Sequence, residues 1–282
     1  MTRLPSIFVS HGAPTLALRP REVGPALRQV ALALPAPSAI LVVSPHWTSA
    51  RPIVSGAPQM SAIHDFGPFD PALFDLRYEP PGAPLVARRV AERLSAAGRP
   101  TRIDERRGLD HGAWVPLQLM YPHADVPAFQ LSLQPGEAPK RQFELGRLLA
   151  PLADEGVLLV FSGSFTHNLY EFDPSRPDED GAEPYVEEFR AWVLERLSAN
   201  DVPALLDYRR RAPFAERAHP TDEHLLPLFA ALGAAPDSGI LHHPVRSTTY
   251  GVLAMDAFVF SAQPHATSTI DSEGEAAHAI SL

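Results

Sequence analysis

Twelve histidines and no cysteine set the chemistry open to this 282-residue chain. Without thiols there is no disulfide framework, thiolate zinc site, iron–sulfur cluster or cysteine nucleophile. A bound metal must therefore be held by His, Asp and Glu, and imidazole also moves protons near neutral pH. Three histidines follow apolar runs directly or within a few residues. Ser6 to Val9 leads to Ser10-His11-Gly12, Ala39 to Val43 to Ser44-Pro45-His46-Trp47, and Val157 to Phe161 to Ser162-Gly163-Ser164 and then His167. If the runs are strands of an open α/β sheet, His11, His46 and His167 lie along one rim, where such sheets bind ligands.

Other positions carry weaker signals. Glu223-His224 follows Pro220-Thr221-Asp222, with Thr221 or Asp222 as a helix N-cap. Adjacent helical residues point about 100° apart, so only one of the pair can face a site, and by itself the segment reads as a capped surface helix start. His111 follows Asp110 and precedes a helix. It either contacts a ligand or lies solvated behind a capping aspartate. His64-Asp65 looks like a carboxylate–imidazole pair, but neighbours in sequence rarely pair with each other. His123, His219, His242, His243, His265 and His278 read as structural or solvent-facing. Ser162-Gly163-Ser164 lacks the Gly-x-Ser-x-Gly elbow of hydrolases, and neither a Walker loop nor Gly-x-Gly-x-x-Gly occurs.

The elements that must position these residues alternate. Helices are predicted over Arg21–Leu34, Pro84–Ala97 closed by Gly98, Ala113–Tyr121 with Pro116 in its first turn, Pro139–Ala153, Ala182–Ser198 and His224–Leu232 stopped by Gly233. Further strands are predicted over Val126–Leu133 and Gly251–Phe260. This alternation predicts one α/β domain with a largely parallel central sheet flanked by helices on both sides. It spans residues 1–261, with a polar tail at 262–282 outside the core. Apolar residues at 45% supply the core, and a net charge of −9 argues against nucleic acid and anionic membranes as partners. No run reaches the roughly 18 apolar residues of a membrane span and Met1 to Pro5 is not a signal peptide, so a cytoplasmic monomer or small homo-oligomer is expected.

Six short segments occur in an order that resembles the class III extradiol ring-cleaving dioxygenases, in their DOPA-dioxygenase-type, LigB-like branch. They are Ser10-His11-Gly12-Ala13-Pro14, Ser44-Pro45-His46-Trp47, Ile63-His64-Asp65-Phe66-Gly67, Leu109-Asp110-His111-Gly112-Ala113-Trp114, Thr166-His167-Asn168-Leu169 and Glu223-His224-Leu225-Leu226-Pro227-Leu228. The resemblance implies that His11, His46 and His224 hold the metal. It makes His167 the acid/base residue and places His111 in the substrate pocket. His64, Asp65, Trp47, Asp110 and Glu223 become surrounding or substrate-contacting residues. The substrates would be a catechol and O₂, and Fe(II) the working metal, in a site that Zn(II) also suits. Three neutral imidazoles leave the full metal charge for an anionic catecholate. Two other readings share the cleft: a zinc hydrolase with Glu223 or His167 as base, and a non-catalytic binding protein. Arg77, Arg246 and Tyr250 are candidates to meet a side-chain carboxylate, against a solvated reading.

Overall fold

The apolar runs become strands, because β-branched and aromatic residues buried on both faces suit a covered sheet. The structure, a computed structural model, describes residues 2–177, 181–237, 239–262 and 280–281. Its strands are Ser6–Ser10 (β1), Ala39–Thr48 (β2), Ile53–Ser55 (β3), Arg102–Asp104 (β4), Ala128–Leu133 (β5), Val157–Gly163 (β6), Ile240–Val245 (β7), Thr248–Thr249 (β8), Leu253–Ala254 (β9), Ala257–Ser261 (β10) and Ile280–Ser281 (β11). The helices are Val23–Ala33 (α1), Pro84–Ala96 (α2), His111–Met120 (α3), Pro139–Leu149 (α4), Pro184–Ser198 (α5), Val202–Leu206 (α6), Tyr208–Arg211 (α7), Ala215–Ala218 (α8) and Leu226–Ala234 (α9).

Nine strands form one sheet in the order β11-β7-β10-β1-β6-β2-β5-β3-β4. The central four, β1, β6, β2 and β5, are mutually parallel. β10, β7 and β11 extend one side antiparallel, and β3 pairs antiparallel with β5 on the other. Successive strand residues face opposite sides. On β6, the Ser162 hydroxyl reaches α3 through the Gly112 carbonyl, whereas Gly163 faces the His224 backbone just before α9. Helices therefore cover both faces, with α3 beside α1 on one and α9 beside α4 on the other.

Several predicted boundaries move for physical reasons. Gly233 does not stop α9; it lies inside it, where its missing side chain admits the Phe143 carbonyl, and Gly146 on α4 admits that of Ala230 in return. α3 begins at His111, so Pro116 lies in its second turn rather than its first. β3, β4, β7 and β8 were not expected: β3, β4 and β8 have two or three residues, β4 is largely exposed, and the apolar pattern of β7 is broken by His242, His243 and Pro244. Of the tail, residues 263–279 and 282 lie outside the described residues, and Ile280–Ser281 pair with Leu241 and Ile240. Among the described residues, no helix is long and apolar enough to cross a membrane.

Candidate active site

The site forms where β1, β6 and β2 end. Register places Ser10 beside Gly163 and Val43 beside Phe161, which carries His11 and His46 to the same level on either side of β6. β1 is anchored there. Ser10 donates its N–H and hydroxyl to the Asp256 carbonyl at 3.2 and 2.8 Å, and the His11 N–H bonds the Gly163 carbonyl at 2.9 Å. The next residue, Gly12, turns at φ +60°, a conformation that glycine adopts at least cost, and a Cβ there would press on Met255 Cε at 2.6 Å.

A missing amide orients His11. Pro116 has no N–H, so the Gly112 carbonyl one turn earlier has no helical partner at that position. The Ser162 hydroxyl donates to it, and the Ser162 oxygen lies 3.0 Å from His11 Nδ1. With its hydrogen committed, that oxygen accepts from Nδ1–H. His11 Nε2 then carries its lone pair into the site, 3.0 Å from Nε2 of His46. His46 sits in a bulge: β2 pairs Ser44 with Ser132 and next Thr48 with Leu133, leaving Pro45, His46 and Trp47 out of the ladder. Such a bulge re-aims side chains, and proline is tolerated in it.

His224 arrives from the opposite side. It is in a turn one residue before the α9 N-cap, Leu225, rather than within the helix, and neither Thr221 nor Asp222 caps α9 with its side chain. The Asp222 backbone carbonyl accepts from Leu225 and Leu226 instead. Glu223 and His224, expected to diverge, act together: Glu223 Oε1 is 2.9 Å from His224 Nδ1 and also accepts the Thr221 hydroxyl at 3.0 Å. The His224 carbonyl accepts Ser164 N–H at 2.9 Å. A Cβ on Gly163 would lie 2.2 Å from that carbonyl oxygen. Gly163→Ala is therefore expected to displace His224 and destabilise the fold by about 1–3 kcal/mol, read from the denaturation midpoint.

The rings of His11, His46 and His224 form a near-equilateral triangle, with centroids 4.9, 5.1 and 5.5 Å apart. His224 Nε2 is buried and has no hydrogen-bond partner. His167 stacks on His224 at 3.5 Å and 11°. His111 is 3.9 Å from His46 and 5.5 Å from His11. Among the described residues, ligand atoms of His11, His46 and His111, and of His167, Glu223 and His224, lie within 4.8 Å of one another as two sets.

His111 is buried, not solvated, although Asp110 does cap α3 by accepting Ala113 N–H at 3.2 Å. Gln130 donates to the other Asp110 oxygen, and burial raises this carboxyl's pKa. Asp65 pairs with His111, 46 residues away, not with His64. Burial alone would raise the Asp65 carboxyl, but the His111 hydrogen bonds, with the neighbouring His111 and His46 rings, hold it below the ordinary value. His64 bonds the Leu76 carbonyl at 3.1 Å and touches the site through Phe66, which packs edge-on to His111 at 5.6 Å. Trp47 is buried beneath the Arg107 guanidinium at 4.9 Å. Sequence reasoning overlooked Ser162 and Phe66. Strand-end position was the one signal for Ser162, and it had been weighed only as a nucleophile.

Burial, reinforced by neighbouring imidazoles, pushes His11 and His224 well below their ordinary value. Burial takes His46 to about 3, His167 to about 4 and His219, bonded to the Phe165 carbonyl, to about 3. All are neutral in the fold, so lone pairs are available without proton release. Unfolded, each takes up a proton near pH 6.5. Below that value the unfolded chain binds more protons, so this stability is present above about pH 6.5 and is lost as pH falls towards 3 to 4. The metal-free protein should melt at a steady temperature from pH 8 to 7 and progressively lower below 6.5. A flat profile down to pH 5 would contradict it.

Residues 9–259 match the family model described as the catalytic LigB subunit of aromatic ring-opening dioxygenase. The chain belongs to this family. This LigB-family chain is 36% identical over 260 residues to a protein of Beta vulgaris named 4,5-DOPA dioxygenase extradiol, spanning 91% of this chain and 96% of that one. A protein of the same name from Escherichia coli K12 is 36% identical, across 90% of this chain and 93% of the relative. A crystal structure of an uncharacterized protein from Escherichia coli K12 superposes with a TM-score of 0.77 at 31% identity, covering 91% of this chain and 99% of that one. The LigB-family chain is thus a metal-dependent extradiol ring-opening dioxygenase, and the hydrolase and binding-protein readings are not favoured.

Proposed function

We propose that this enzyme opens a catechol ring with O₂ at the carbon–carbon bond beside the two hydroxyls, on Fe(II) held by His11, His46 and His224. The observation that carries this is the buried Nε2 of His224, unpartnered beside two other imidazoles. Two of the three rings have their Nδ1 within hydrogen-bond reach of an oxygen group, Ser162 for His11 and Glu223 for His224. Metal-ligating histidines use the second nitrogen in this way. Three ligands on one face leave positions for a diol and for O₂. A bound divalent ion supplies charge for the catecholate and a common template for both reactants. Zinc also fits three imidazoles but lacks redox chemistry, which favours iron as the working metal.

His167, neutral and stacked on His224, accepts a diol proton and returns one later in the reaction. His111 accepts a hydrogen bond from a substrate hydroxyl. Trp47, His64, Asp110 and Glu223 support the set from outside it. DOPA, named for the relatives, heads the candidate substrates. The test is anaerobic reconstitution with Fe(II), then addition of O₂ with DOPA, caffeate, protocatechuate and gallate. Oxygen uptake with a rising visible absorbance from a ring-opened semialdehyde is expected; no uptake on any of them sinks the proposal.

A further inference from the structure

We infer that Asp65 is a positioning residue for the reaction, acting through His111: it fixes the ring's orientation and tautomer so that Nε2 is offered to the site as a hydrogen-bond acceptor. This rests on the role proposed for His111 above, but the geometry stands apart from it. A single oxygen, Asp65 Oδ1, takes both the backbone N–H of His111 at 2.8 Å and its Nδ1 at 3.1 Å. The second oxygen lies 3.9 Å from His46 Nδ1. A carboxylate at Nδ1 keeps the hydrogen there, which leaves the neutral ring's lone pair on Nε2. Two bonds from one oxygen, one to the main chain and one to the ring, also fix the angle of the imidazole to its backbone.

The segment that leads to Asp65 is itself held on both sides of His111. Ile63 N–H bonds the Leu109 carbonyl at 2.7 Å, Leu109 N–H bonds Ser61 at 2.8 Å, and the Trp114 indole N–H bonds the Ile63 carbonyl at 3.1 Å. Asp65 is thus delivered by a segment stitched to both flanks of His111. Phe66 packs edge-on against the His111 ring at 86°. Helix capping accounts for the bond to the His111 N–H, beside the Asp110 cap at Ala113, but not for the bond to Nδ1.

The test has two independent arms. In the first, side-chain ¹⁵N spectra of the metal-free protein are recorded, with the His111 signals assigned by their loss in His111→Ala. The wild type should show hydrogen on Nδ1 and a bare Nε2, and Asp65→Ala a mixture of tautomers. In the second, Asp65→Ala should lower kcat by about 10- to 100-fold, the range for loss of an outer-shell partner, with KM and bound iron within about twofold. Asp65→Asn, which keeps an oxygen able to accept both bonds, should recover part of that loss. In a His111→Ala background, Asp65→Ala should cost less than about twofold more, because residues acting as a unit are not additive. A wild-type His111 with hydrogen on Nε2, a multiplicative double variant, or Asp65→Ala without iron would each overturn the inference. If the wild type opens no catechol, the proposed function fails and the spectra alone decide the role of Asp65.

Discussion

His224→Ala is expected to lose stoichiometric metal and reduce turnover to background while the protein stays folded. His224 Nε2 is the one nitrogen of the triangle that is buried with neither hydrogen-bond partner nor water access. An orphaned buried polar atom costs about 1–3 kcal/mol, and a native fold retains one where a ligand satisfies it. With His224 removed, only His11 and His46 remain, and affinity should fall by more than the 10- to 100-fold that follows loss of an outer-shell partner. Metal analysis after dialysis, beside a far-ultraviolet circular dichroism spectrum, reads both halves. His111→Ala is the necessary contrast. His111 nitrogen also lies within 4.8 Å of His11 and His46, so it competes for the third place. Its Nδ1 is held by Asp65 much as those of His11 and His224 are held by Ser162 and Glu223, so that bond does not separate the two; His224 is preferred because its Nε2 is a buried orphan and that of His111 is not. The His111 variant should therefore keep its metal. The reverse pattern would transfer the third ligand from His224 to His111.

The second large effect is expected of His167→Ala: bound metal unchanged, kcat lowered by about 10²- to 10⁴-fold, the range for loss of a general acid–base group. His167 touches the triangle only by stacking face to face on His224, and its backbone N–H is tied to Ala218 at 2.8 Å. It therefore sits beside the ligands on a fixed main chain. Burial keeps its lone pair unprotonated, with a pKa of about 4 in the metal-free protein. Iron content and single-turnover rates separate the two roles: metal lost along with activity would make His167 a ligand.

How much of this was legible in the sequence depends on the distance over which each signal acts. β1, β2 and β6 were, because an unbroken apolar run is a local property. So was the meeting of His11 and His46, since parallel strands either side of β6 end at one rim, whereas His167 reaches them only through His224. His224 was not, because it approaches that rim from a turn ahead of α9 on the other face, and its local context resembles an ordinary helix start. Only the ordered motifs pointed to it. The Asp65–His111 pair spans 46 residues, so no local signal named it; the sequence argued only against a pair between Asp65 and its neighbour His64. Gly233 was misjudged for a related reason. A glycine after an apolar stretch signals a stop, and the close approach of α4 that explains it inside α9 is visible only in three dimensions. β3 and β4, three residues each, are held by pairing to neighbours rather than by their own composition.

Pro116 shows what an optimised scaffold would give up. By helix propensity it is a defect, worth about 3 kcal/mol against alanine in a helix interior. A search for thermostability would remove it early. Its replacement would return a backbone donor to the Gly112 carbonyl, and the Ser162 hydroxyl, which holds His11 to one tautomer, would gain a competitor for that oxygen. A Pro116→Ala protein that melts higher yet binds metal less well would exemplify the trade between stability and activity. In that trade the weak turn of α3 is a working part of the enzyme.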